Sequence, residues 1–303
     1  MLQTTTTTNR NRASLEISYM NAGNIECLGN GQEAEVIQFL KERPIHTVAM
    51  LGLIRDNGLA SKLNRGNFYG YRDVNGNLEG VALVGHATLL ETVSDRALRA
   101  LARVARECPF THMIMGEQDR LADLWIEYSA AGHKTRHTCS EWLFELRSPV
   151  VTDQADRKLQ LATAAELDLV MPVQAELAFE ESGINPLSVD PEGFRKRCLR
   201  RIEQGRTWVA VEDGKLIFKA DIISQTAEVV YLEGIWICKE KRNSDAAVGF
   251  MSELSQKLLQ EAKSICLLVN ETNKRAQAFY KKCGFLFRAT YKTIFLPQKE
   301  RCN

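Results

Sequence analysis

The same succession of patterns appears twice along the 303-residue chain, and that recurrence limits the available folds more than any other feature. In the first half, "NFYGYRDVNGNLEGVALVGH" reads as a β-hairpin. Its turn is Asn75-Gly76, a pair that tolerates positive φ at little steric cost. A helix "DRALRALARVAREC", a strand "HMIMGE", a helix "RLADLWIEYSAAG" and a closing strand "SEWLFEL" follow, and "AEVIQFLKER" supplies a helix ahead of the hairpin. In the second half, "AAELDLVMPVQAELAFEES" and "PEGFRKRCLRRIEQG" are helical. "TWVAVEDGKLIFKADIISQ" is a hairpin turning at Asp213-Gly214. A strand at 229–238, a helix at 246–262, a strand "SICLLVN", a helix "NKRAQAFYKKCG" and a strand "FRATYKTIFL" complete it. Hairpin, helix, strand, helix, strand in each half predicts a duplicated α/β (α+β) fold, with helices covering mixed sheets. The polar segment "RSPVVTDQADRK" is the natural linker, so the expected units are 13–150 and 151–303, preceded by a disordered Thr-rich tail at 1–12.

Composition narrows the function classes. Apolar residues make up 45% and charged residues 25%, with a formal net charge of +1. That balance carries neither a nucleic-acid footprint nor a general attraction to acidic membranes. No apolar run approaches the roughly 18 residues of a spanning helix. Eight cysteines are scattered without a C-x-x-C pair, which fits free thiols in a reducing cytoplasm. His133 and His137 are four residues apart in "GHKTRH", but no acidic or thiol ligand stands near them, and no metal site is expected.

Two stretches carry chemistry. In "YLEGIWICKEKRNSDAAVGF" an apolar strand runs into a polar turn with Arg242 and then into a helix. That helix has Val248, Met251, Leu254, Leu258 and Ala262 on one face. The free amides of its first turn form a phosphate cradle, and Arg242 adds a full charge. Ser244 and Asp245 are also favoured N-cap residues, whose side chains can occupy the same amides. The second stretch is "VNETNKRAQAFYKKCGF", where Ala276 and Tyr280 share a helix face and Gly284 ends the helix. A small residue one turn before a tyrosine leaves a slot with a phenol at its end. The same pair is equally compatible with core packing.

Asn273-x-x-Ala276-x-x-Phe279-Tyr280-x-x-x-Gly284-Phe285 resembles the C-terminal signature of the GNAT superfamily of N-acetyltransferases. The resemblance covers roughly 157 to 297. It is nearest to a two-domain group whose first half is a degenerate relative of the same fold. It implies tandem GNAT-like domains, with acetyl-CoA entering a splay between two parallel strands. The cofactor would lie along Ile235, Trp236, Ile237 and Cys238. Its pyrophosphate would sit on Arg242, Asn243, Ser244, Asp245, Ala246 and Ala247, with Asn273, Ala276 and Phe279 holding the remainder. Asp245 stands where the family pattern R/Q-x-x-G-x-G/A has glycine. A carboxylate ~5 Å from a phosphate charge costs on the order of 3 kcal/mol at an effective dielectric of 20, so the phosphate grip is expected to be weakened.

The same resemblance implies direct attack of an amine on the thioester. Glu233 is the candidate base, Tyr280 the donor to the departing thiolate, and the amide of Ile237 or Cys238 the polariser of the carbonyl. Glu180 and Glu181, before the loop "SGINPL", offer carboxylates to a cationic amine. Arg195, Lys196, Arg197, Arg200 and Arg201 line one helix as a solvated basic face. The first half lacks both signatures: its "DRLADLWIEYSAAGH" has Ala122 and Trp125 but neither the Asn nor the Tyr, and it reads as a wall of the substrate cleft. The expected protein is a cytoplasmic acyl-CoA-dependent N-acetyltransferase, monomeric or homodimeric. Its acceptor is a small-molecule or peptide amine, and it has no nucleic-acid or membrane partner. The alternative is a weak or inactive CoA-binding regulatory module.

Overall fold

The computed structural model describes residues 24–150, 152, 158–242 and 244–297. The expected N-terminal tail, most of the central linker and Asn243 lie outside them. The first half contains β1 (Asn24–Cys27), α1 (Glu33–Lys41), α2 (Pro44–Asn57), β2 (Gly66–Arg72), β3 (Leu78–Gly85), β4 (Ala87–Thr92), α3 (Asp95–Glu107), β5 (Met113–Glu117), α4 (Gln118–Ser129) and β6 (His137–Leu146). The second contains β7 (Gln160–Leu161), α5 (Leu167–Ser182), α6 (Pro186–Val189), α7 (Pro191–Glu203), β8 (Thr207–Glu212), β9 (Lys215–Gln225), β10 (Val229–Ile237), α8 (Asp245–Leu258), β11 (Ser264–Asn270), α9 (Lys274–Lys282) and β12 (Leu286–Phe295).

The predicted hairpins form because their turn residues accept the backbone they need. Asp213 and Gly214 take φ of 48° and 73°, the two positive values of a primed turn. Gly76 has φ 86°, and the Asp73 carboxylate accepts bonds from the Asn75 and Asn77 amides. The predicted face of α8 is the buried one: Val248, Met251, Leu254 and Leu258 join the second-half core, and Ala262 follows just beyond the helix.

All strands belong to one sheet in the order β1-β2-β3-β4-β5-β12-β6-β11-β10-β9-β8-β7. The pairs β4/β5 and β10/β11 are parallel, one in each half. Between them the halves exchange their last strands. β12 lies between β5 and β6, with Tyr291 opposite Glu117, and β6 lies beside β11, with Phe144 opposite Leu267. Each half's sheet is therefore completed by the other half.

Helix α2 and strand β4 escape the sequence patterns, as do the short elements β1, β7 and α6. Helix α2 buries Thr47, Val48, Met50, Leu51, Gly52 and Ile54, which leaves no polar stripe to give a 3.6-residue period. It packs with the first-half core through Met50, Leu51 and Ile54, and with a core shared between the halves through Val48. Ser224 Oγ on β9 donates to the Val48 carbonyl at 2.5 Å, and a Cβ on Gly52 would fall 1.7 Å from that oxygen. Strand β4 is hidden because only His86 separates it from β3, so both read as one apolar run.

Candidate functional site

Parallel strands β10 and β11 pair from Val229/Ser264 to Leu232/Leu267 and then part. The cause lies in β10. Gly234 has φ 59°, and a bulge between Glu233 and Trp236 breaks the register with β9. A side chain at Gly234 would meet Lys219 Nζ at 2.8 Å and Gln174 Oε1 at 3.1 Å. Beneath the bulge, fully buried Lys219 donates to Asp221 Oδ2 at 2.6 Å, to Gln174 Oε1 at 2.7 Å and to the Gly234 carbonyl at 3.2 Å. Arg201 joins Asp221 at 2.8 Å, and Thr207 Oγ1 donates to its other oxygen at 2.8 Å. Burial works against ionisation of Asp221, but the charges of Lys219 and Arg201 outweigh it and hold the carboxyl below its ordinary pKa. Arg201, read from sequence as part of a solvated face, instead anchors this network. Arg195 and Arg197 pair with Asp168 and Asp190 at the surface.

The parted strands open two adjoining cavities. A cleft of about 310 Å³ is lined by Ile235, Trp236, Ile237, Arg242, Ala247, Asn273, Ala276, Phe279 and Tyr280, with Glu176, Leu177, Glu180 and Arg275. A chamber of about 610 Å³ shares Leu177, Glu180, Ile235, Asn273, Ala276 and Tyr280 with it. Tyr280 therefore borders both spaces. Burial raises its pKa, keeping the phenol protonated at neutral pH. Asn273 caps α9 by accepting from the Ala276 amide at 3.0 Å. That bond fixes the turn between β11 and α9 beside the opening.

The turn before α8 departs from both capping expectations. Ser244 Oγ donates to the Lys241 carbonyl at 2.6 Å and makes no cap bond. Asp245 is 99% exposed and takes a 3.0 Å contact from Lys282 Nζ. Neither side chain covers the first amides of α8, and the Asp245 charge is turned into solvent beside a lysine. In this orientation water and Lys282 screen the carboxylate, which lessens the repulsion expected at a phosphate. Arg242 Nε donates to the Ile237 carbonyl at 2.8 Å, which holds the guanidinium at the cleft wall. Cys238 is buried, and its amide donates to the Ile217 carbonyl at 2.9 Å, so it is removed as a carbonyl polariser. Alternation along β10 turns the Ile237 amide to the opposite side, toward the parted strand. Ser244, Asp245 and Ala246 are not among the cleft lining, and Asn243 lies outside the described residues.

Glu233 lines the chamber from the parted segment of β10, and Tyr231 Oη donates to its Oε1 at 2.5 Å. Three further carboxyls, Glu141, Glu180 and Glu181, face the same space. Glu141, on exchanged strand β6, accepts from Thr293 Oγ1 at 2.8 Å. Burial and the Glu233 charge raise it to about 7 despite that bond. Glu181, at the end of α5, is pushed up to about 8 by enclosure and by the charges of Glu233 and Glu141, although solvent still reaches it. Glu141 and Tyr231 went unrecognised in the sequence. Nothing in the first half's pattern announces that one of its strands enters the second half's site. Met113, Met115 and Cys139 of the first half line the chamber too.

The first half has a corresponding opening, and a side chain bridges it. Strands β4 and β5 pair only at Ala87/Met113 and Thr88/Ile114 before parting. Arg43 spans the gap, bonding Glu91 on β4 at 3.0 Å and Glu117 on β5 at 2.5 Å. Against this bridge lie a cavity of about 40 Å³ and an open hollow of about 1010 Å³, both lined by Arg43, Glu91, Thr92, Glu117 and Arg120. Only Val93 and Ser94 separate β4 from α3, and Ser94 Oγ accepts from the Ala97 amide, so this helix start is capped.

Residues 175–285 match the acetyltransferase (GNAT) family. No curated protein sequence matches the chain. Among solved structures, a Drosophila protein superposes with a TM-score of 0.66 at 12% identity, covering 91% of this chain and all of the other. A GNAT-family acetyltransferase from Colwellia psychrerythraea gives 0.53 at 14% identity over 90% and 100%. A tandem GNAT protein from the clavulanic acid biosynthesis pathway gives 0.53 at 14% identity over 91% and 99%. At these identities the likeness establishes the fold. Residues 175–285 thus match the acetyltransferase (GNAT) family, and the chain as a whole shares the fold of a tandem GNAT protein.

Proposed function

We propose that the second half binds acetyl-CoA along β10 and transfers its acetyl group directly to an amine. The observation that carries this reading is the parting of β10 and β11 beside Tyr280, where a cofactor-sized cleft meets a carboxylate-lined chamber. The cofactor supplies the activated thioester. Ile235 and Ile237 offer backbone groups to its pantetheine arm, while Arg242 and the uncapped amides of α8 receive its diphosphate. Glu233 accepts the proton that the amine must lose, and its bond from Tyr231 fixes the carboxylate's orientation. The amine nitrogen forms a bond to the acetyl carbon and the carbon–sulfur bond breaks. The Ile237 amide polarises the carbonyl oxygen, and Tyr280 gives its proton to the departing thiolate. No covalent enzyme intermediate is needed.

The replacement of glycine by Asp245 favours the alternative of a CoA-binding module without turnover. Its outward orientation supports the enzymatic reading. Calorimetry with acetyl-CoA, followed by thiol release over a panel of amines, separates the two. Heat of binding with no thiol release assigns the module, and no heat at millimolar ligand removes both readings. Tyr280→Phe is expected to lower kcat by about 10²-fold with little change in KM. An unchanged kcat removes the phenol from the reaction. The buried free thiols Cys139, Cys238, Cys266 and Cys283 suit a reducing compartment such as the cytoplasm. No described helix is long and apolar enough to cross a membrane.

A further inference from the structure

The chamber beside the acetyl position holds more carboxyl groups than proton removal requires. Its lining includes Glu233 from β10, Glu180 and Glu181 from α5, and Glu141 from the exchanged strand β6, with no Lys, Arg or His. The other polar groups there are Cys139, Gln174, Tyr231, Asn270, Thr272, Asn273 and Tyr280, all uncharged at neutral pH. One carboxylate suffices as base, and Glu233 is already engaged with Tyr231. Glu141 is positioned by a separate bond from Thr293 on β12. Two carboxyls therefore border a roomy chamber without a cationic partner in its wall. That arrangement favours a ligand that brings its own positive charge and disfavours one carrying a carboxylate.

We propose that the acceptor is a small diamine or polyamine, with the reacting amine at Glu233 and a second ammonium received by Glu141 and Glu181. The assignment rests on the acetyl-transfer reading for its geometry. It gives the first half a part in the reaction: through β6, it supplies a specificity residue to the second half's site.

The test uses the full chain and three probes of equal carbon count: 1,4-diaminobutane, butylamine and 4-aminobutanoate. Calorimetry is run with saturating CoA and again without it. The diamine is expected to bind at least about tenfold more tightly than butylamine, with 4-aminobutanoate weakest. Glu141→Gln and Glu181→Gln should each shrink that ratio, and the double variant should bring it near one. Glu141→Asp, which keeps the charge, should retain part of the preference. CoA affinity reports whether each variant has kept its fold. Equal binding of diamine and butylamine by the wild-type chain, or a preference that survives in the double variant, overturns the inference. Thiol release at equal rates with both amines overturns it too while leaving acetyl transfer intact. Preferential diamine binding without thiol release supports the inference and overturns the transfer reading.

Discussion

The two halves open the same kind of gap in the same kind of sheet and treat it in opposite ways. Between β10 and β11 the gap leads into spaces of about 310 and 610 Å³. Between β4 and β5 it is bridged by Arg43, bonded to a glutamate on each strand, so that the space there is split into a cavity of about 40 Å³ and an open hollow of about 1010 Å³. The turns differ as well. The second half has a long connection before α8 in which Ser244 makes no cap bond, whereas the first has a two-residue connection capped by Ser94. Parting of the strands thus belongs to the shared fold. What makes an opening usable is what the neighbouring side chains leave unfilled.

The largest test concerns the exchanged strands. Expressed alone, residues 151–303 lose β6 from beside β11 and both neighbours of β12, β5 and β6, which exposes three unpaired strand edges. The fragment is expected to be unfolded or aggregated by circular dichroism and sedimentation. A soluble fragment with cooperative unfolding would mean that each opening is built by its own half after all.

Arg43→Ala removes the bridge from the first opening. Glu91 is buried, so the loss should cost about 2–3 kcal/mol, read by denaturant unfolding. No acetyl-CoA site should appear there, because the helix start remains capped. A second CoA binding event by calorimetry would break the comparison.

Glu141→Gln addresses the charge held in the open chamber. A carboxyl raised to about 7 in the folded chain, against an ordinary value of 4.5, keeps its proton where the unfolded chain has lost it. Its contribution therefore lowers stability as pH rises through that window. The substitution should leave Tm unchanged below pH ~4.5 and stabilise by on the order of 2 kcal/mol above pH ~7. The groups facing Glu141 are Glu233, Glu181 and Thr293, and none is a cation. A Tm difference that is flat with pH would deny the raised carboxyl.

Asp245→Gly should change acetyl-CoA affinity by less than about threefold, because the carboxylate is exposed and beside Lys282. A hundredfold gain would mean that the side chain turns toward the diphosphate when ligand binds.

Much of this was legible in the chain. Turn pairs such as Asp213-Gly214 fix local backbone, and the spacing from Asn273 to Phe285 brings Ala276 and Tyr280 to one border of the cleft. Glycine within an apolar strand signals a bulge, and Gly234 was the readable mark of the parted strands. Helix α2 was not legible, since a helix buried on several sides has no period to detect. Nor was the outward turn of Asp245, which depends on Lys282 from a distant helix.

Local patterning determined the repeated order of elements, the hairpins, the face of α8 and the Asn273–Phe285 motif, because these depend on neighbours a few residues apart. Tertiary structure alone decided that β6 and β12 change places, that Glu141 stands across from Glu233, and that Arg43 bridges one opening while the other carries no such bridge. Those outcomes rest on contacts between residues tens to hundreds of positions apart. Their partners are set by how the sheet closes, which short-range pattern does not encode.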